Sequence, residues 1–307
     1  MSVAAPVSSP YPSADSSQSL PPATAGGANP AGGRVDRPIT PRLPQLAIDA
    51  ELPRSWAFDN VLATALIDSV SMLFPAGERF FVRSVHHYLQ HSEKPLPAEL
   101  KAQIQGFFAQ EGRHAQQHER LNRVLGLQGY DVSGFLRLYE RICYHYIERV
   151  SPPALRLSAT AAAEHFTAIL ADNFLRMTEL TEKLEPNMRR LLLWHAAEEI
   201  EHKAVAYDQL MAIDDSYTLR TGVMNLALVG FYLITFGNTL YFMAQDRSLF
   251  KLKEWSTMFD VFFGKYDLAR KSVLKFLEYY KPDFHPWDNE NYHLAQNALA
   301  GYDAKAG

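Results

Sequence analysis

The segment Leu191–Asp208, LLLWHAAEEIEHKAVAYD, places two histidines and three glutamates within the eight residues from His195 to His202. Its neighbours are leucines, alanines and a valine, the composition of a buried helix. At about 100° per residue, His195, Glu199 and His202 fall within an arc of about 60° and form one stripe. Glu201 points away from that stripe and reads as a solvated group, while Glu198 lies at its edge. A buried, unpaired carboxylate costs several kcal/mol or takes up a proton, so the stripe needs a partner. Glu199 and His202 form a Glu-x-x-His pair, and a second pair stands at Glu111 and His114 in another long amphipathic stretch. One such pair alone is common on helix surfaces. Two pairs on separate helices point to divalent cations, for which carboxylates supply charge and imidazoles supply neutral nitrogen donors.

Two further segments each offer a glutamate among apolar or small residues. Glu78 lies in FPAGERFF and Glu164 in AAAEHF. The chain order is therefore Glu, Glu-x-x-His, Glu, Glu-x-x-His, which is the ligand set of the ferritin-like di-iron and di-manganese carboxylate bundles. Four carboxylates would neutralise two divalent ions. A helical bundle with coincidental polar pairs is the competing reading. Three other histidines need placing. His118, seven residues after Glu111, shares its face and is either a ligand or a group behind one. His165 reads as a group behind a ligand or a packing residue, and His86, two turns beyond Glu78, is within reach of the metals or a surface group.

The elements that must carry these residues are helical almost throughout, with no sustained period-2 alternation. The pattern predicts a helix over 56–73 broken at Phe74–Gly77, and a second from Pro75 or Ala76 to about His91. Further helices are predicted over 98 to about 126, 133 to about 150, 154 to about 184, 186 to about 213, 221–245 and about 248–280. Gly129 suits a helix C-terminus, and Pro186 suits a helix start. Nine of the 18 prolines lie in the first 44 residues, mixed with Ser, Ala and Gly. Such a segment buries too little apolar area to offset its ordering entropy. The expected organisation is a disordered tail over 1–45, a metal-binding helical bundle over 46–215 and a helical extension over 216–307. The fold class is all-α, a ferritin-like four-helix bundle with extra N- and C-terminal helices.

Bulk properties narrow the partners. A net charge of -4 and a pI near 6.3 give no electrostatic footprint for nucleic acid. Cys143 is the sole cysteine, so no intrachain disulfide forms and a reducing compartment is expected. The first residues lack the basic and apolar regions of a secretory signal, which fits a cytoplasmic protein. Thr221–Gln245 contains no Asp, Glu, Lys, Arg or His and is long enough to span a bilayer. It reads either as a helix buried in the protein or in a homodimer interface, or as a membrane contact that would make the protein membrane-associated.

Residues 74–118, 161–172 and 194–208, with the C-terminal Phe284-His-Pro-Trp287, resemble a bacterial family labelled predicted metal-dependent hydrolase. The ligand spacing is also similar to that of the p-aminobenzoate N-oxygenase type of di-iron enzyme. Those enzymes add a third histidine four residues before the last glutamate, and His195 occupies that position. The resemblance implies the ligand set Glu78, Glu111, His114, Glu164, His195, Glu199 and His202. It implies two iron ions, with Mn/Fe, Mn or Zn as other occupants of the same donors. The first functional expectation is an oxidoreductase that uses O2 and an electron donor to oxidise a small organic substrate, an apolar one if 221–245 touches membrane. The alternative is a metal-dependent hydrolase working through a metal-bridging hydroxide, and iron storage comes third.

Overall fold

The structure, a computed structural model, describes residues 37, 39–49, 51–93 and 95–303. The tail expected over 1–45 therefore falls largely outside the described residues. The described part is all-α. Its helices are α1 (Val61–His91), α2 (Ala98–Leu127), α3 (Val132–Glu140), α4 (Glu148–Val150), α5 (Pro153–Arg176), α6 (Thr178–Thr181), α7 (Pro186–His202), α8 (Val205–Ile213), α9 (Tyr217–Gln245), α10 (Leu252–Phe263), α11 (Leu268–Glu278) and α12 (Tyr292–Asp303). A π-helical segment, Arg141–Ile147, joins α3 to α4. Among the described residues there is no β-strand, only an isolated bridge between Ala57 and Leu184.

Local chemistry sets the helix ends. The Asn60 side chain accepts from the Ala63 N–H at 2.8 Å and starts α1. Glu185 caps α7 through the Met188 N–H at 2.8 Å, with Pro186 in the first turn. Gly129, at φ +93°, ends α2. Its N–H reaches the Gly126 carbonyl and the Tyr130 N–H reaches that of Leu125, the paired bonds of a Schellman turn.

The break expected at Phe74–Gly77 is absent, and α1 runs through Pro75. Proline removes one backbone hydrogen bond from a helix interior. Here Met72, Leu73, Pro75 and Ala76 are all buried, and tertiary packing outweighs that loss. Three expected helices are instead divided. The 154–184 stretch breaks at Met177. The 186–213 stretch breaks at Lys203–Ala204, just after the last site residue. The 248–280 stretch breaks at Gly264–Asp267, where Asp267 takes φ +49°.

Helices α1, α2, α5 and α7 pack against one another and place the polar stripe between two apolar clusters. In α1, Met72 belongs to one cluster and Val85 to the other; in α2, Leu121 and Phe107 do the same. Glu78 and the Glu111–His114 pair lie between these flanks. The C-terminal segment returns to the site-bearing helices. Phe284 and Trp287 are buried, His285 Nε2 meets Asp208 at 2.8 Å, and Trp287 covers Lys203, whose Nζ lies 4.1 Å from the ring centroid.

Both α1 and α9 are long and apolar enough to cross a membrane, but 72% of the apolar window of α1 is buried against 28% for α9. Full burial of 221–245 within its own chain is thus not observed. Val223, Met224, Asn238, Thr239, Phe242 and Met243 face the core, while Leu226, Val229, Tyr232, Leu233 and Phe236 are exposed.

Asp68 is a buried carboxyl away from the glutamate–histidine cluster. Burial pushes it up to about 8, against the lowering effect of the hydrogen bond from Trp56 Nε1 at 3.2 Å. Its contribution to stability is fully present below about pH 4, where both states are protonated, and is lost as pH rises to about 8. Asp68→Asn keeps the acceptor for Trp56 and removes the titration. The variant should be more stable than the parent at pH 8 by on the order of a few kcal/mol, with the gap closing toward pH 4. Urea melts across that range measure it, and a constant gap would show that Asp68 does not titrate as described.

Candidate metal centre

The four packed helices bring all seven sequence-selected residues together. Glu78 comes from α1, Glu111 and His114 from α2, Glu164 from α5, and His195, Glu199 and His202 from α7. All are buried. Glu199 Oε1 lies 2.9 Å from His195 Nε2, 3.5 Å from His114 Nδ1 and 3.5 Å from His202 Nε2. His202 Nε2 is also 3.1 Å from Glu111 Oε1 and 3.4 Å from Glu164 Oε2. Glu78 Oε1 is 3.8 Å from His195 Nε2. Three groups have donor atoms close enough to share an ion: Glu78, His114 and His195; Glu111, His114 and Glu199; Glu111, Glu164 and His202.

The donor atoms have the marks of a metal site. Both carboxylate oxygens of Glu78, Glu111 and Glu164 are buried without a hydrogen bond, as are Glu199 Oε2, His114 Nδ1 and His202 Nε2. Native interiors rarely leave buried polar atoms unpartnered, and a concentration of them calls for a bound species. These orphans are carboxyl oxygens and ring nitrogens converging on one volume. A divalent cation satisfies such a set, and these residues fit it.

Each of the three histidines is fixed from behind. His114 Nε2 meets Glu198 Oε2 at 3.1 Å, which leaves Nδ1 facing inward. His202 Nδ1 donates to Gln110 Oε1 at 2.8 Å, which leaves Nε2 inward. His195 Nδ1 meets His118 Nε2 at 2.6 Å, and His118 Nδ1 meets Ser71 Oγ at 2.6 Å. Outer partners of this kind set the tautomer and orientation of a ligating imidazole. His118 thus stands behind His195. His165 packs between Tyr279 and Phe284, and His86 is exposed beside Gln90.

The electrostatics follow from crowding acids and bases in one dry volume. Burial, reinforced by Glu111, holds Glu78 well above the usual carboxyl range. Burial also raises Glu111 and lifts Glu164 to about 8. Burial alone would raise Glu199, but His202 and the neighbouring His114 and His195 outweigh it, and its carboxyl sits well below the usual range. Against burial, Glu198 and Glu199 lift His114 to about 10, while Glu199 and Glu164 hold His202 well above its ordinary value. Burial and His114 lower His195 to about 4. Without metal, the cluster therefore draws its positive charge from protons on His114 and His202.

Three aromatic rings line the cluster. Phe74 lies 4.5 Å from the His195 ring, Phe107 5.1 Å from His202 and Trp194 4.8 Å from His114. They restrict water and strengthen each charge interaction inside.

Sequence spacing missed Gln110 and misassigned Glu201. Gln110 is fully buried and adjoins Glu111, but an amide beside a candidate ligand has no distinctive signal. Glu201 is not solvated. It is buried and accepts from Gln110 Nε2 at 2.8 Å and Arg42 Nη1 at 2.9 Å. Arg42 lies far away in the sequence, so helical periodicity could not reveal the pairing.

No curated protein and no solved structure matches the chain. A family model described as predicted metal-dependent hydrolase matches residues 40–290, a range that contains every residue of the cluster. By that match over most of its length, this chain belongs to the predicted metal-dependent hydrolase family.

Proposed function

We propose that the seven clustered residues hold a dinuclear metal centre and that the chain is an enzyme acting there on a small molecule. The observation that carries this reading is the set of orphaned oxygens on Glu78, Glu111, Glu164 and Glu199. Glu78, His114 and His195 form one side, and Glu111, Glu164 and His202 the other. Glu199 stands between them, its Oε1 within 3.5 Å of an inner nitrogen of all three histidines.

Hydrolysis is the reaction that the family description supports, and it stands first. Divalent ions in such a set supply Lewis acidity and activate water near neutral pH. The chain's own contribution is orientation and exclusion. Glu198, Gln110 and His118 hold the outer ring nitrogens, the glutamates compensate charge, and the aromatic rings limit solvent. The substrate would be a small molecule with a polarisable ester, amide or phosphate group.

A second reading, oxidation of an organic substrate with O2 and an external electron donor, is favoured by the donor set. Four carboxylates and three imidazoles on four helices extend the pattern of the ferritin-like di-iron and di-manganese proteins. Iron in that set would supply the redox couple.

Elemental analysis followed by two assays separates the readings. Zinc- or manganese-supported cleavage of ester and phosphoester probes without O2 would support hydrolysis. O2 uptake by the reduced, iron-loaded protein, with no cleavage, would support oxidation and overturn hydrolysis. A protein that retains no divalent metal under any loading would overturn both.

A further inference from the structure

Residues 39–49 precede the first helix and form a strap without regular secondary structure against the bundle. Leu46 and Ile48 are buried, the Leu46 carbonyl accepts from Arg120 Nη1 at 2.8 Å, and the Ala47 N–H donates to Asn187 Oδ1 at 3.1 Å. Gly106 in α2 gives the strap its seat. A Cβ there would lie 2.7 Å from Ile39 Cβ and 2.8 Å from its carbonyl oxygen. Glycine within a helix lowers its stability by about 1 kcal/mol relative to alanine, so close approach by the strap accounts for this residue.

Arg42 reaches behind both Glu-x-x-His pairs. Its backbone N–H donates to Glu198 Oε1 at 2.9 Å, and the other oxygen of Glu198 holds His114 Nε2 at 3.1 Å. Its Nη1 donates to Glu201 Oε2 at 2.9 Å. The same Glu201 oxygen accepts from Gln110 Nε2, and Gln110 Oε1 accepts from His202 Nδ1, both at 2.8 Å. The Thr40 carbonyl also accepts from Gln110 Nε2 at 3.3 Å. One arginine on a segment outside the helices thus joins the outer partners of two histidines from two helices.

We propose that this strap is a clamp on the metal centre, with Arg42 as a positioning residue for His114 and His202, and that strap seating and metal binding favour each other. The proposal rests on the metal-centre reading above. Without the clamp, Glu198 and Glu201 lose a common cation, and Gln110 loses the anchor that aims its carbonyl at His202. Both imidazoles then lose orientation while every ligand remains. By reciprocity, metal that orders the histidines favours the seated strap.

Chelator competition with zinc and limited trypsin digestion test the clamp. Arg42→Ala keeps the backbone N–H on Glu198 but removes the cation from Glu201, and should weaken zinc binding by about tenfold, the lower end of the effect of removing an outer partner, with partial recovery in Arg42→Lys. Gly106→Ala leaves every polar group in place and favours the helix, but crowds the strap out, and should weaken zinc binding to a similar degree. In the parent, zinc should slow cleavage after Arg42 by at least about tenfold, as the equivalent linkage requires. Gly106→Ala should be cut quickly with or without zinc. Unchanged zinc affinity in both Arg42→Ala and Gly106→Ala, or cleavage of the parent at a zinc-independent rate, would overturn the clamp while leaving the centre standing. A parent that binds no divalent metal under any loading would overturn the centre and the clamp with it.

Discussion

Glu199→Ala is expected to release the metal and abolish turnover together. Glu199 is the carboxylate within reach of His114, His195 and His202, and the one whose ionised form the cluster most favours. Removing it leaves three buried imidazoles without their shared anion and opens the space between the two sides. The loss in metal affinity should exceed the roughly 10- to 100-fold effect of deleting an outer partner. Glu198→Ala provides that milder comparison, because it removes the group behind His114 and one anchor of the strap but no ligand. Elemental analysis should find roughly two ions per chain in the parent, as in dinuclear bundles, and almost none in Glu199→Ala. Helical circular dichroism should stay near that of the parent, since α7 keeps its apolar packing through Trp194, Ala197 and Ile200. Two ions retained in Glu199→Ala would overturn its placement between the sides.

The part of this centre legible in the sequence was the part written in helical spacing. His195, Glu199 and His202 share a stripe because their helix fixes their angles, and the same rule gave Glu111 and His114. Glu78 and Glu164 stood out because apolar or small neighbours surround them. Each helix contributes its residues independently, and His195 joined them as a ligand through the resemblance to the N-oxygenase type. Groups defined by contacts between distant segments were not. Nothing in the local sequence distinguishes Arg42 from other arginines in a proline-rich stretch, and Glu201 appeared solvated only because the strap that covers it was out of view. The break at Pro75 failed for a related reason: proline's local cost is visible in sequence, whereas the burial of both flanks is not. On α9, the absence of charge was plain, but which residues stay exposed depends on α1 and α5, against which it packs.

Stripping the metal should lower the melting temperature substantially and make the remaining stability fall with rising pH between 6.5 and 8. Two sites, each at a free-metal concentration of a thousand times its dissociation constant, contribute about 8 kcal/mol. At roughly 2–4 °C per kcal/mol for a domain of this size, chelation should cost about 15–30 °C. The pH trend follows from the protons that replace the metal. Burial raises Glu78, Glu111 and Glu164, the last to about 8. Each contributes stability that is fully present below the ordinary carboxyl value and lost as pH rises through the folded value. His114 and His202 are also raised, so their contribution holds below the ordinary histidine value and declines above it. Glu199, held low, is ionised in both states above about pH 6, and His195 and His118, held low by burial, have largely completed their opposing change by pH 6.5. The resolved groups of the apoprotein cluster therefore act with one sign between 6.5 and 8. Metal binding has the other sign, because the ligands must shed protons to coordinate and affinity rises with pH. The melting-temperature gap between zinc-loaded and chelated protein should widen steadily over that interval. A gap that stays constant or narrows would mean that the carboxyls and imidazoles of this cluster do not exchange protons for metal.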